Sequence, residues 1–305
     1  MEFFLQQTVN GLTLGSVYAL IALGYSMVYG VLKFLNFAHG EVYMFGAFAG
    51  YGVLTVLGGP SALMVPVWLA ITLMFVAAMA VASGIGVALE RFAYRPLRKA
   101  SRLAPLISAI GASFFLQAAA LLLFTANSRS YDAPTLIPID SGVTIGPIEV
   151  WSVRILVIVT AFLLMILLTW WVKRSRVGKA VRAVSFDTEA AAMMGIDVDR
   201  VIVATFLIGS ALAGIGGVMV GLVFGRIFHL MGFIAGLKAF TAAVVGGIGS
   251  IPGAMLGGLL IGFAEAYTTS YISSTFQNLI VFGLLIVFLL VRPHGFLGRP
   301  ELAKV

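Results

Sequence analysis

The residues of this chain that could do chemistry are a few polar side chains inside long apolar stretches. Asn36, His39 and Glu41 stand close together in the segment LNFAHGEVYMFGAF, and Lys238 stands in the segment MGFIAGLKAFTAAV. Ionisable groups at membrane depth are costly, so those found there are functional candidates. Their placement predicts a path for a polar solute through a membrane.

Each of these two segments, which contain Gly40 and Gly236, is predicted to start a helix at a glycine. The free N–H groups and partial positive charge of each helix start would then face the path. That arrangement suits a passing carboxylate, such as that of an amino acid. Tyr43 and Thr241 are expected to line the same path.

If the two segments are equivalent, Glu41 and Lys238 could approach each other as an internal ion pair. An alternative stays open, in which these residues only hold two halves of the protein together and never touch the solute. Glu265 also lies late in an apolar stretch, and the sequence assigns it no role.

Motifs for enzymatic chemistry are missing from the sequence. There is no cysteine, and the three histidines, His39, His229 and His294, are scattered. The phosphate-binding pattern GxxxxGK[ST], HExxH and GxSxG do not occur. We therefore expect a chain that is not an enzyme, has no catalytic residue and needs no metal or other cofactor.

The composition predicts an all-α integral membrane protein. Of its 305 residues, 61% are hydrophobic and 10% charged, whereas soluble domains are about a quarter charged. The apolar runs are long and lack the two-residue alternation of barrel strands. We expect one transmembrane domain over 1–305 with about nine crossings. They are placed at 8–31, 37–57, 62–89, 103–125, 151–172, 201–224, 232–247, 253–270 and 275–291.

The seventh predicted crossing is short. Phe233 to Val245 would make roughly 20 Å of helix, against about 30 Å of hydrocarbon core. A glycine-rich stretch follows it, so we predict a broken or re-entrant helix pair over 232–270, with two ordinary short helices as the alternative.

Basic segments indicate the orientation. They run from Arg91 to Arg102, from Lys173 to Arg182, and along the tail from Arg292. The positive-inside rule assigns them to the cytoplasm. The loop 126–150 holds Arg129 against three acids, Asp132, Asp140 and Glu149. The N-terminus is therefore predicted outside and the C-terminus inside. Because topology accounts for the net charge of +7, no nucleic-acid partner is expected.

The two polar segments belong to stretches about 195 residues apart that look alike. The aligned pairs are Gly15/Gly209, Ser16/Ser210, Gly30/Gly225, Phe37/Phe233 and Gly40/Gly236. By the predicted orientation they cross in opposite directions, which indicates inverted repeats at about 8–125 and 201–291, joined by a helix at 151–172. Inverted repeats are a common plan for transporters, with the substrate path at their interface.

A cytoplasmic loop at about 173–200 predicts a docking element. Asp187 is a suitable N-cap for a short helix from Thr188 to Met194, and Gly195 suits the position after it. Asp187, Ala191 and Gly195 would share one face, small enough to press against another protein. A helix lying on the membrane is disfavoured, since the loop lacks the large apolar face that such binding requires.

Three motifs in order resemble the permease of branched-chain amino acid ABC importers: LNFAHGEVYMFGAF, RSRVGKAVRAVSFDTEAAAMMGI and GLKAFTAAVVGGIGSIPGAMLGG. The resemblance covers nearly the whole chain. It implies a bacterial inner-membrane subunit that pairs with a second, related permease, with two ATPase subunits below and a periplasmic substrate-binding protein above. It also implies a coupling segment toward the ATPases, whose residues are Gly178, Arg182, Asp187, Ala191 and Gly195.

Two alternative functions are open. Permeases for urea and short amides look similar to this chain. An ion-coupled secondary transporter belongs to another class; few acidic residues lie at membrane depth to carry a coupling ion, and the loop at 175–200 would then have no role.

Overall fold

The structure is a computed structural model that describes residues 1–98, 100–101, 103–137, 142–146 and 148–298. Arg102, at the end of the first predicted cytoplasmic segment, Asp140, in the predicted external loop, and the last part of the basic tail lie outside the described residues.

The regular secondary structure of the described chain is helical apart from two small two-stranded sheets. The helices are α1 Glu2–Leu32, α2 His39–Val56, α3 Val67–Ala88, α4 Leu103–Phe124, α5 Ala133–Leu136, α6 Ser152–Arg174, α7 Arg176–Phe186, α8 Thr188–Met193, α9 Val198–Phe224, α10 Met231–Gly246, α11 Ile251–Tyr271 and α12 Gln277–Val291. The strands are β1 Arg129–Ser130, β2 Val143–Ile145, β3 Ile148–Val150 and β4 Arg226–Ile227, with β1 antiparallel to β4 and β2 antiparallel to β3. A π-helical turn, Leu89–Tyr94, and a 3-10 turn, Arg95–Leu97, extend α3.

The prediction of an all-α membrane protein is confirmed. A helix lies at each of the nine predicted crossings, and seven helices of the described chain are long and apolar enough to span a membrane. The two others are α2 and α10, which carry the polar segments. The count of nine crossings therefore stays a prediction.

The centre of the fold is formed by α1 and α9, which are buried over most of their length. Along one side α1 packs on α11, and along the other α9 packs on α3. Glycines allow these approaches: a methyl group on Gly15 would lie 2.7 Å from the Cα of Leu259 in α11. Such glycines permit the close backbone packing that drives helix association in lipid.

The turn between α10 and α11 uses the backbone freedom of glycine. Gly247 has φ +108° and Gly249 has φ +86°, which side-chain-bearing residues rarely adopt. The carbonyls of Val245 and Gly246, at the end of α10, accept hydrogen bonds from the N–H groups of Phe296 and Leu297. The segment after α12 thereby satisfies carbonyls that the helix itself leaves free.

Candidate functional site

The starts of α2 and α10 cross in direct backbone contact. A methyl group on Gly40 would collide with the carbonyl oxygen of Gly232 and lie 2.9 Å from the Cα of Gly236. The two polar segments predicted from the sequence therefore meet. They do so at a place where their own backbones leave no space between them.

The two polar helices begin within two residues of the starts predicted from the sequence, 37 and 232. In the first segment α2 begins at His39, one residue before Gly40, as expected. In the second, α10 begins at Met231, so Gly232 and not Gly236 lies in the first turn. Leu230, at its N-cap, provides no side-chain cap hydrogen bond.

Glu41 lies at this crossing and is fully buried. Its Oε1 accepts hydrogen bonds from Gln117 Nε2 at 2.8 Å and Ser113 Oγ at 3.1 Å, both on α4. Its Oε2 has no hydrogen-bond partner in the described part of the chain, and a methyl group on Gly232 would collide with it.

Lys238 pairs with Glu265 and not with Glu41, which corrects the ion pair expected from the sequence. Its Nζ lies 2.6 Å from Glu265 Oε1, with both side chains more than nine-tenths buried. Tyr18 donates to the other oxygen, Oε2, at 2.8 Å. The expected pair failed because a lysine in the second turn of α10 reaches the neighbouring α11 more directly than it reaches α2.

Asn36 and His39 are buried at the entry to α2. The Asn36 side-chain oxygen accepts a hydrogen bond of 2.6 Å from the hydroxyl of Tyr94. The His39 ring packs edge-on against Tyr25 at 4.8 Å between centroids. A side chain at Gly24 would collide with the His39 imidazole, so α1 needs a glycine there.

Tyr43 and Thr241 are buried further along the same two helices. A methyl group on Gly217, in α9, would collide with the backbone oxygen of Tyr43, and the Thr241 hydroxyl donates to the carbonyl of Leu237 at 2.9 Å. All eight residues predicted to line the path are thus enclosed within this one chain.

The loop at 173–200 folds locally as predicted. The Asp187 carboxylate accepts from the N–H groups of Glu189 and Ala190, both at 3.0 Å, and caps α8. Gly195 follows the helix with φ +81°. A second short helix, α7, precedes it; its N-cap Ser175 accepts from the N–H of Gly178 at 2.8 Å.

The face that α8 turns outward differs from the prediction. Ala191 is buried against the chain itself, and Gly178 is pressed against the end of α6, so neither presents a small surface to a partner. The exposed side chains are large and apolar: Phe186, Met193 and Met194 are each more than 80% exposed. Arg182 is exposed beside them. The loop therefore has the large apolar side chains that the sequence argument did not find.

The comparisons with known proteins agree with each other. A family model described as the permease component of branched-chain amino acid transport systems matches residues 7–290. The chain is 48% identical over 305 residues to the high-affinity branched-chain amino acid transport system permease protein BraD of Pseudomonas aeruginosa, covering 99% of this chain and 98% of that protein. It belongs to this permease family. Its identity to LivH of Escherichia coli K12, a permease protein of the same description, is 47% over 311 residues, again covering 99% and 98%.

Membership confirms the family resemblance drawn from three motifs of the permease. The relatives are transport subunits and not enzymes, in agreement with the lack of enzymatic motifs. In the described part of the permease, no group of three or more potential metal ligands comes together.

Sequence reasoning missed the partners of the buried charges in the permease. Glu265 was noted without a role, and Tyr18, Ser113 and Gln117 were not considered. A second network was also missed: Arg98 bonds both Glu90, which is buried, and Asp199 at the start of α9. The sequence does contain a signal for these networks, namely polar residues within the apolar spans. Each such residue needs a partner, which must come from another helix.

Proposed function

We propose that this permease is the membrane-crossing subunit of a binding-protein-dependent ABC importer that moves branched-chain or other aliphatic amino acids into the cytoplasm. The observation that carries the proposal is 47–48% identity, over nearly the full length, to permeases named for that cargo. Relatives named for fructose or galactose import match only 34% and 42% of the chain. The relatives favour neither urea and short amides nor an ion-coupled carrier.

The proposed assembly contains a second, related permease, two ATPase subunits that hydrolyse the ATP, and a periplasmic substrate-binding protein. We assign the ATPase contact to α7, α8 and Gly195. Exposed large apolar side chains at the tip of a basic loop, Phe186, Met193 and Met194, support this assignment, because such a patch usually marks an interface. The capped ends of α8 give the patch a defined shape.

We also propose that the N-terminus is outside, that the C-terminus is cytoplasmic, and that the regions 8–125 and 201–291 are inverted repeats joined by α6. The crossed packing supports the repeat: α1, the first helix of one half, packs on α11, the third segment of the other, and α9 packs on α3 in the same way. A two-fold relation between the halves would produce this exchange of partners.

The solute path is proposed to run beside the α2–α10 crossing, bordered by Asn36, His39, Gly40, Glu41, Tyr43, Gly236, Lys238 and Thr241. Since these residues are enclosed, the halves must rock apart to admit a solute. A cavity of about 60 Å³ lies between α1, α7 and the α10–α11 turn, lined among others by Gly30, Arg182 and Gly249. It leaves room for α7 to move against the α10–α11 turn when the ATPases close.

Two measurements test this function. The tagged permease, purified in mild detergent from its own host, should bring two ATPase subunits and a second permease in fixed ratio. The reconstituted complex should then take up leucine only with ATP and the loaded binding protein. Uptake by the permease alone without ATP would overturn the importer assignment. Uptake of urea but not of leucine would overturn the cargo.

A further inference from the structure

A cavity of about 150 Å³ lies at the start of α6, the helix between the two proposed repeats. It is bordered by α5, by the end of α9 and by the first turn of α6. Most of its lining is apolar, and Arg154 contributes the one charged side chain among the described residues around it. The proposed function gives this cavity no role.

The guanidinium of Arg154 brings a positive charge to the cavity and meets no acid there. It donates a hydrogen bond to the side-chain oxygen of Asn10 on α1, and its Cζ lies 4.9 Å from the centre of the Trp151 ring. Among the described residues it forms no ion pair. These two contacts fix the guanidinium in place, and neither supplies a negative charge. A guanidinium has five N–H donors, so it can also bind an anion through two of them at once.

Two further features make the surroundings of the cavity positive. The start of the 23-residue helix α6 has no side-chain cap hydrogen bond, and its first turn lines the cavity with the positive end of the helix. Arg226 directly follows the lining residue Gly225, is exposed, and has no ion pair in the described part of the chain. The cavity and its edge therefore favour an anion, and the planar fork of an arginine suits a phosphate in particular.

The spacing of two tryptophans places the cavity at the surface of the membrane. Trp151 and Trp170, near opposite ends of α6, are 40% and 62% exposed. The helix between them is about 28 Å long, close to the roughly 30 Å of a hydrocarbon core, and tryptophans gather at the two membrane surfaces. Between them, Val159, Leu163 and Ile166 are each more than half exposed and share one apolar face of α6. The cavity thus lies at headgroup depth, beside a face suited to acyl chains.

We propose that this cavity binds the phosphate of an anionic phospholipid such as phosphatidylglycerol. Arg154 binds the phosphate, Arg226 adds positive charge at the edge, and the acyl chains lie along the exposed face of α6. A zwitterionic headgroup carries its own cation, which these positive groups repel, so lipids of net negative charge are preferred. The inference concerns the lipid alone and does not depend on the cargo or on the ATPase subunits.

An acidic side chain of a substrate-binding protein is the competing occupant of the cavity. The depth of Trp151 and the exposed apolar face of α6 favour the lipid, because a protein that docks from the water does not reach along such a face. The two occupants make different predictions for the same variant, so one experiment separates them.

The test measures lipid binding to the complete, detergent-purified complex by native mass spectrometry. The probes are phosphatidylglycerol, phosphatidylcholine and inorganic phosphate. Arg154→Gln should weaken phosphatidylglycerol binding by on the order of tenfold, since it removes a charge-assisted contact, and should leave phosphatidylcholine binding unchanged. Arg154→Lys keeps the charge without the fork and should lose less. The matched control is Arg200→Gln, which removes the same charge from an arginine that is 88% exposed at the other end of α9, and it should bind the lipid normally.

Unchanged phosphatidylglycerol binding in Arg154→Gln would overturn the inference. Equal losses in Arg154→Gln and Arg200→Gln would also overturn it, because the effect would then be one of total charge. Inorganic phosphate that displaces the lipid at equal concentration would show a site for a free anion instead. If Arg154→Gln binds the lipid normally and binds the substrate-binding protein more weakly, the occupant is an acidic protein side chain.

A second variant and a second measurement cover the case in which Arg154→Gln does not fold. Arg226 is exposed, so Arg226→Gln should fold normally and weaken phosphatidylglycerol binding by about fivefold. The unaltered complex is also labelled with a photoreactive phosphatidylglycerol whose reactive group lies near the glycerol. Labelling of the first two turns of α6 that unlabelled phosphatidylglycerol suppresses, and phosphatidylcholine does not, supports the inference. Labelling spread evenly over the exposed helices, or suppressed equally by both lipids, contradicts it.

Discussion

The ammonium group of Lys238 lies 2.6 Å from Oε1 of Glu265, and this buried pair joins the second turn of α10 to α11. Tyr18 extends the contact to α1 by donating to the other carboxylate oxygen. Three helices from both ends of the chain are thus fixed to one another beside the crossing of α2 and α10. The pair therefore ties α10 and α11, in the second half of the chain, to α1 in the first half.

Lys238→Met is expected to destabilise the protein by about 3–5 kcal/mol, because it leaves Glu265 buried without a cation. Replacing both partners, as in Lys238→Met with Glu265→Met, should restore most of that loss, since two apolar side chains need no counter-charge. Thermal unfolding of the detergent-purified protein measures both. A double variant as unstable as the single one would argue against the pair.

A charge-reversal comparison separates the observed pair from the one expected from the sequence. Lys238→Glu combined with Glu265→Lys should recover part of the yield and uptake lost in each single reversal. Lys238→Glu combined with Glu41→Lys should recover none. Rescue by the second combination only would show that Lys238 meets Glu41 in the working protein.

Gly40→Ala is expected to reduce both stability and uptake, because its methyl group would collide with the carbonyl of Gly232. Overpacking of this kind costs about 1–3 kcal/mol. Gly52→Ala in the same helix is the control, since a methyl group there meets nothing within 4 Å. Thermal unfolding and leucine uptake of the two variants should diverge; equal behaviour would contradict the tight crossing.

Asp187→Arg is expected to leave the protein inserted in the membrane and yet to uncouple ATP use from uptake. It removes the cap of α8, worth about 1 kcal/mol, and places a cation at the positive end of the helix. Asp187→Asn is the control, because asparagine caps a helix about as well. The measurement is the ratio of leucine taken up to ATP hydrolysed by the reconstituted complex. A normal ratio in Asp187→Arg would show that α8 takes no part in coupling.

The outward face of the same loop gives an independent test. Met193→Asp should abolish recovery of the ATPase subunits with the purified permease, because it places a charge in the apolar patch. Glu189→Ala, an exposed change on the same helix, should leave recovery unchanged. Full ATPase recovery with Met193→Asp would place the docking surface elsewhere.

The sequence predictions were accurate where local interactions decide the structure, and they failed where packing between distant segments decides it. Helix positions and the ends of α8 were predicted because apolar length, an aspartate N-cap and a terminal glycine act locally. The pairing of Lys238 could not be predicted, since it depends on which neighbour a helix turns toward. Ala191 was expected to face a partner protein, and this prediction failed for the same reason. Residue spacing shows which side chains share a helix face, but it does not show whether that face contacts a partner or the chain itself.

Arg98 offers a matched pair of substitutions at the ends of α3 and α9. Arg98 forms ion pairs with Asp199 and with Glu90, whose side chain is 1% exposed. Within the described chain, the Arg95 side chain pairs only with Asp199, and the side chains of Arg95 and Asp199 are each more than 40% exposed. Arg98→Met should therefore cost about 3–5 kcal/mol by stranding a buried carboxylate. Arg95→Met should cost at most about 1 kcal/mol, because an exposed ion pair contributes little. Thermal unfolding in detergent at low and high salt measures both, and only the small Arg95 effect should vanish as salt rises, since screening acts on exposed charges. Equal, salt-sensitive losses in the two variants would mean that Glu90 is reached by water and that the network contributes nothing to holding α3 against α9.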